Sequence, residues 1–314
     1  NNLILENGAL LMGEGTLNLS AGTGTLTVGN GGGIAPGQND DGVLTIGGNL
    51  VINPGAQLMF DLESNTLAPV ADRIVVSFGN TVTINGGDLY ALWEGPAGAS
   101  GFTNVSDGGT FNFIDCSFIT IPCMTVTTPL TVHDPLNVIP AITPLAVTTP
   151  GTGQNSLQYT LGTKTGTVFE WIGLGDTDWT TGANWSGGIA PGALDSAIID
   201  GNGVVAPVSI VGPVSIANLQ TDALFAFLGG SLSISGQAIV SSTYIPNTAT
   251  PPSGLLIADP GSTVSGTGVL TTLPGTYNVF DSNTSITINT WDQIGVLSKA
   301  GTTNLVFDGT IFNN

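Results

Sequence analysis

Gly42-Val43-Leu44-Thr45-Ile46-Gly47-Gly48-Asn49-Leu50-Val51-Ile52 alternates apolar and small side chains on either side of a Gly-Gly-Asn break. A period of two puts successive side chains on opposite faces of a strand. Leu44 and Ile46 therefore share one face, and so do Leu50 and Ile52, with Thr45 and Val51 turned away. The glycine pair is corner material, because glycine enters positive φ without a Cβ penalty. The stretch reads as two short strands joined by a sharp corner that resets the phase, so that both apolar pairs point inward.

The same texture runs outward in both directions. Gly15-Thr16-Leu17-Asn18-Leu19 and Gly24-Thr25-Leu26-Thr27-Val28 precede it, and Thr81-Val82-Thr83-Ile84-Asn85-Gly86-Gly87 follows. Thr and Val favour strands. No window carries a 3.6-residue apolar period with caps, so almost no helix is expected. The strand groups recur at roughly 20-residue intervals, the range of solenoid coils. A β-sandwich also fits short alternating strands, but the spacing favours coiling. The expected class is all-β, a right-handed parallel β-helix in two coiled stretches with a Pro-rich irregular connector.

The first stretch is expected over residues 1–110. Residues 111–166 form the connector or a small β subdomain. They hold Pro122, Pro129, Pro135, Pro140, Pro144 and Pro150, and proline cannot donate to a ladder, which argues against long central strands. The second stretch covers 167–314, with Pro207-Val208-Ser209-Ile210, Pro213-Val214-Ser215-Ile216, Gly230-Ser231-Leu232-Ser233-Ile234 and Ser285-Ile286-Thr287-Ile288. Gly-Gly-Ile-Ala-Pro-Gly occurs at Gly32–Gly37 and again at Gly187–Gly192, which favours modular construction.

Composition bounds the function. Charged residues are 8% of the chain, against roughly 25% in an ordinary globular domain. Lys and Arg number 3 (Arg73, Lys164 and Lys299) and the formal net charge is −19. Such a chain cannot neutralise phosphates, so nucleic acid is excluded as a partner. Anionic headgroups repel it, and no stretch reaches the roughly 20 apolar residues of a membrane span. The N-terminus, Asn1-Asn2-Leu3-Ile4-Leu5, lacks a basic leader, so a secreted form is expected to have lost its signal already.

Chemistry-bearing residues are sparse. Cys116 and Cys123, in Cys-Ser-Phe-Ile-Thr-Ile-Pro-Cys, suit a small disulfide loop and an oxidising compartment, with two buried thiols as the alternative. The one histidine, His133, reads as a loop residue rather than a catalyst. Carboxylates pair in sequence at Asp40 with Asp41, Asp176 with Asp178, and Asp195 with Asp200. All sit in glycine-rich turns, where Asp bonds local backbone. No cofactor is expected; a structural Ca²⁺ on such turns is the minor alternative, since neither EF-hand nor nonapeptide spacing is present. Trp171, Trp179 and Trp185 read as an aromatic plug or a sugar-stacking platform. Sequons at Asn18, Asn104, Asn184 and Asn283 are what chance gives in a chain rich in Asn, Ser and Thr.

Two segments resemble the passenger regions of bacterial autotransporters and related β-helix repeat proteins. The first is Gly33-Ile34-Ala35-Pro36-Gly37 with Gly42–Leu50, Gly55-Ala56-Gln57-Leu58 and Asp61-Leu62. The second is Trp171, Asp178-Trp179, Asn184-Trp185-Ser186, Pro191, Asp195 and Ala197-Ile198-Ile199. The resemblance implies a right-handed parallel β-helix displayed or released outside the cell. The amphipathic strands of the outer-membrane barrel that follows a passenger are missing, so it implies a cleaved barrel or another export route.

The expectation is therefore a non-enzymatic, extracellular or cell-surface structural protein. It would be a subunit of a fibre, filament or matrix, self-associating head to tail through uncapped ends at Leu3, Leu5, Leu305, Phe307, Ile311 and Phe312. The chain as one piece of a longer passenger, whose neighbouring coils cap it, is the alternative at those ends. An adhesin for surface glycans is the second functional reading, and a polysaccharide-active hydrolase the third. A lyase lacks basic residues, and one histidine leaves Ser-His-Asp chemistry without a setting.

Overall fold

A computed structural model describes residues 1–19, 22–37, 42–63, 70–94, 110–117, 122–134, 145–146, 154–160, 167–173, 175–200, 207–241, 254–257, 260–280, 284–299 and 304–313. Apart from one 3₁₀ turn at Gly182–Asn184, the regular structure among them is strand. The strands pair almost entirely in parallel, an all-β arrangement compatible with a β-helix. The residues fall into two units, one up to Lys164 and one from Thr165 onward.

The first unit has three sheets, and consecutive strands go to different sheets in turn, except where Gln57–Glu63 pairs antiparallel with Val70–Ala71 and Leu145–Ala146 with Gln154–Thr160. Leu3–Leu5, Thr25–Val28, Asn49–Ile52, Val82–Ile84 and Met124–Val126 lie side by side in one. Leu10–Gly13, Gly33–Pro36, Gln57–Glu63, Asp88–Glu94 and Thr131–His133 build the second. Gly15–Asn18, Val43–Gly47, Arg73–Val76 and Thr110–Ser117 build the third. Register converts the sequence alternation into columns. Leu3, Leu26, Leu50, Val82 and Met124 are neighbours, as are Leu5, Val28, Ile52, Ile84 and Val126. Leu26, Val28, Leu50, Ile52, Val82 and Ile84 are buried. The column between them, Ile4, Thr27, Val51, Thr83 and Thr125, faces outward. Leu44 and Ile46 are buried as the alternation requires, and Thr45 is not.

Corners are where sequence and structure differ. Gly47 and Gly48 do not adopt positive φ, contrary to expectation, whereas Gly31, Gly55, Gly86 and Gly87 do. Glycine is required at Gly48 because a Cβ there would lie 2.6 Å from the Gly24 carbonyl oxygen. Neighbouring strands approach too closely there for a side chain. Polar side chains bridge neighbouring corners: Asn85 Nδ2 donates to Asn53 Oδ1 at 3.1 Å, and Thr127 Oγ1 donates to Asn85 Oδ1 at 2.8 Å.

Residues expected as a separate connector continue this unit. Thr110–Ser117 runs parallel to Arg73–Val76 and antiparallel to Gln154–Thr160. It is a long internal strand in a segment read as unable to hold one. The reason is that its prolines begin only at Pro122. Pro135, Pro140, Pro144 and Pro150 lie outside the described residues.

The second unit repeats the scheme. One sheet is built from Val208–Ile210, Leu224–Phe227, Gly254–Ile257, Tyr277–Phe280 and Val296–Lys299. Pro213–Ile216 and Ser231–Ile234 start a second row, and Ser196–Ile199, Asn218–Thr221 and Gln237–Val240 a third. The long strands Thr263–Thr272 and Thr284–Gln293 serve both rows. Thr263–Thr272 pairs through Thr263–Ser265 on one side of a register shift and through Val269–Thr272 on the other. Phe169, Ala197, Leu219, Ala238, Leu270, Trp291 and Phe312 form one column. Val214, Leu232, Val264, Ile286 and Phe307 form another.

Candidate functional site

Three places carry the sequence-predicted residues. The first is the tryptophan segment of the second unit. Trp185 meets Trp171 edge-on at 5.1 Å and Trp179 at 4.7 Å, and Trp179 reaches Phe225 at 5.9 Å. All three indoles are buried in the core cluster. They are a plug, and they offer no open face to a sugar ring.

Asn184 holds the loop over that plug. Its side chain is fully buried. Gly175 and Asp176 N–H donate to its Oδ1 at 2.7 and 3.1 Å, and its Nδ2 donates to Asp176 Oδ1 and to the Asp178 carbonyl, both at 3.0 Å. An amide so engaged cannot accept a glycan in the folded chain, which disposes of this sequon structurally. Asp176 and Asp178 act as turn residues: Asp178 N–H donates to Asp176 Oδ1, and Thr180 N–H to Asp178 Oδ1, each at 2.8 Å. The Asp178 N–H holds the Asp176 carboxyl below the usual carboxylate range. Desolvation opposes this, and the Thr181 hydroxyl and Asn184 amide add to it. Asp195 likewise accepts Gly192 N–H at 2.8 Å. Among the described residues no group of three or more His, Cys, Asp or Glu could hold a metal ion. Asp40 and Asp41 lie outside the described residues.

The second place is the disulfide. Cys116 and Cys123 are joined, with Cα atoms 5.9 Å apart. Cys116 occupies the inward column after Val76, and the next position in that column is Asn155. A buried amide among apolar neighbours needs partners. Asn155 Oδ1 accepts the N–H groups of Cys123 at 2.9 Å and Met124 at 3.3 Å.

The third place is the set of outer strands. Leu5 is buried and Leu3 half-buried, while Ile4 between them is 60% exposed. In the second unit Leu305–Phe307 and Ile311–Asn313 both lie on Thr284–Gln293. Phe312 meets Trp291 at 5.1 Å and Phe307 at 5.3 Å. Leu305 and Phe307 are half-buried, whereas Val306, Ile311 and Phe312 are 50%, 46% and 40% exposed. Within the described residues no strand pairs with the far side of these segments. Lys299 closes the neighbouring outer strand, beside Phe280.

No protein-family model matches the chain, and no curated protein or solved structure is significantly similar to it.

Sequence reasoning missed two polar side-chain pairs. His133 lies on a strand, not in a loop; its Nε2 is 2.9 Å from Asp88 Oδ1 and its ring stacks on Tyr90 at 4.6 Å. Arg73 pairs with Asp115. Each pair spans neighbouring strands distant in sequence, so no local motif announces it.

Proposed function

We propose that the chain is a right-handed parallel β-helix in two stretches, and that it serves outside the cell as a structural subunit joined end to end with further copies. The outer strands at Leu305–Phe307 and Ile311–Asn313 carry this reading. Edge strands of soluble proteins are blunted by charge, proline or cover. Here Val306, Ile311 and Phe312 leave an apolar edge exposed. Ile4 gives the outermost strand of the first unit the same character. A second copy placed edge to edge would continue the ladders and cover Phe312, making a heterologous contact that extends indefinitely unless it closes. An external location is supported by the disulfide, which oxidising compartments sustain, and by the resemblance to passenger regions.

Negative-stain microscopy and sedimentation of the wild type test this against Val306→Lys/Phe312→Lys. The wild type should form filaments. The variant should stay monomeric with unchanged far-UV circular dichroism, because two charges on an edge block pairing. Deleting Asn304–Asn314 should act likewise. A wild type that remains monomeric at high concentration, or filaments that survive the two lysines, would refute self-assembly.

A further inference from the structure

The outer face of the third sheet in the first unit carries a feature that the assembly reading does not use. Its outward column runs Thr16, Thr45, Val75, Asp115 and Ser156. Where Thr110–Ser117 meets its antiparallel neighbour, the register shifts between Asn112 and Ile114. Bulges re-aim side chains. This one turns both Phe113 and Ile114 into the core, where Phe113 packs on Phe60 at 4.7 Å, and leaves Asn112 exposed. The result is an open cavity of about 350 Å³ whose polar lining includes Arg73, Asn112, Asp115, Asn155 and Ser156. Small-molecule pockets span roughly 300–1,000 Å³.

One side of the cavity is held by covalent and hydrogen-bonded neighbours. The Cys116–Cys123 disulfide and the buried Asn155 amide fix one wall. Ser156 Oγ donates to Asp115 Oδ1. The Arg73 guanidinium lies 3.4 Å from Asp115 Oδ2, longer than a normal hydrogen bond of about 2.7–3.2 Å. Its Nε is buried with no acceptor. The pair is thus loosely closed, and its side chains are 42% and 23% exposed. A ligand can insert between them.

Charge selects the ligand. Arg73 and Asp115 cancel, so neither an anion nor a cation gains a net partner. The chain's net charge of −19 further disfavours anions. A neutral molecule rich in hydroxyls meets both side chains without needing a net charge of its own. Such groups donate to the Asp115 carboxylate and accept from the guanidinium and amides, while a C–H face rests on Val75, which also lines the cavity. We infer that this cavity binds a neutral saccharide unit through Asp115, Arg73 and Asn112. The inference does not depend on the assembly reading.

A printed array of neutral and acidic glycans, probed with the full chain, tests it. The wild type should bind neutral saccharides only. Asp115→Asn and Arg73→Gln should each lose at least tenfold in signal, and Thr83→Ala, on another face, should lose none. If either of the first two fails to fold by circular dichroism, Asn112→Ala, at an exposed position, takes its place with the same expectation. A folded wild type that binds no neutral glycan, that prefers acidic ones, or whose binding survives these substitutions overturns the inference.

Discussion

Asn184→Asp is an isosteric change that isolates what one amide does for the second unit. The wild-type side chain donates twice, to Asp176 Oδ1 and to the Asp178 carbonyl. A carboxylate in the same place still accepts from Gly175 and Asp176 N–H but donates nothing. Two bonds worth about 0.5–1.5 kcal/mol each are lost, and two oxygens then face a third without a proton between them, for about 3 kcal/mol in all at pH 7. With a urea m value of about 2 kcal/mol/M, the unfolding midpoint should fall by about 1.5 M. Tryptophan fluorescence reports this locally, since Trp171, Trp179, Trp185 and Trp291 all belong to the core of that unit.

The sign of the pH dependence gives a second check. Burial and the neighbouring Asp176 charge raise the pKa of the introduced carboxyl, so the folded variant binds a proton more readily than its unfolded chain. Its penalty is therefore largest at high pH and shrinks as pH falls, when a proton restores a donor. Asp176 itself behaves oppositely. Its lowered pKa means its contribution is present above the unfolded value of about 3.9 and is lost as pH falls below that. In the wild type a titration from pH 8 to 4.5 keeps Asp176 ionised, so its midpoint is the reference against which the variant's coupled pair of carboxyls is read. Equal midpoints for variant and wild type at pH 7, or a penalty independent of pH, would refute the reasoning.

Reducing the disulfide should lower the stability of the first unit by about 2.5 kcal/mol, the loop entropy for so short a closure; an unchanged urea midpoint after reduction would show that the bond constrains nothing. Gly266→Ala should abolish soluble expression or cost the second unit several ~1 kcal/mol steps in urea, because φ is +125° and a Cβ there would overlap the Ile234 carbonyl; a wild-type midpoint would contradict the close stacking of Thr263–Thr272 on Ser231–Ile234. Trypsin under native conditions should leave the Arg73–Ile74 bond uncut, since Arg73 N–H is held by the Gly42 carbonyl at 2.9 Å within the ladder; rapid cleavage there, read by mass spectrometry, would mean that the first unit opens locally.

The strands were legible because a period of two is a local property. Leu44, Ile46, Leu50 and Ile52 declare their face within a few residues, and parallel pairing then repeats it from strand to strand. The corners were half legible. Glycine at Gly86 and Gly87 answers to φ, but at Gly48 it answers to the Gly24 carbonyl on a neighbouring strand, and no local pattern distinguishes the two causes. The exclusion of long central strands after residue 110 failed for a related reason. Proline density after Pro122 is a strong local signal, but Thr110–Ser117 takes its place from Arg73–Val76, which lies far back in the chain.

The scarcity of charge has a physical reading in the ladders. In parallel stacking, each outward position sits about 4.8 Å from its counterparts, and like charges directly opposite repel. Thr27, Val51, Thr83 and Thr125 show the neutral solution, with short uncharged side chains in column. Against that background Asp115 stands out. It interrupts a column of Thr16, Thr45, Val75 and Ser156, and the cation that balances it, Arg73, lies on the adjacent strand, beside a bulge that opens the sheet. The pair's separation of 3.4 Å is loose and its exposure partial. Exposed pairs of this kind contribute about 0–1 kcal/mol to stability. Its position at the rim of a cavity is better accounted for by recognition than by folding.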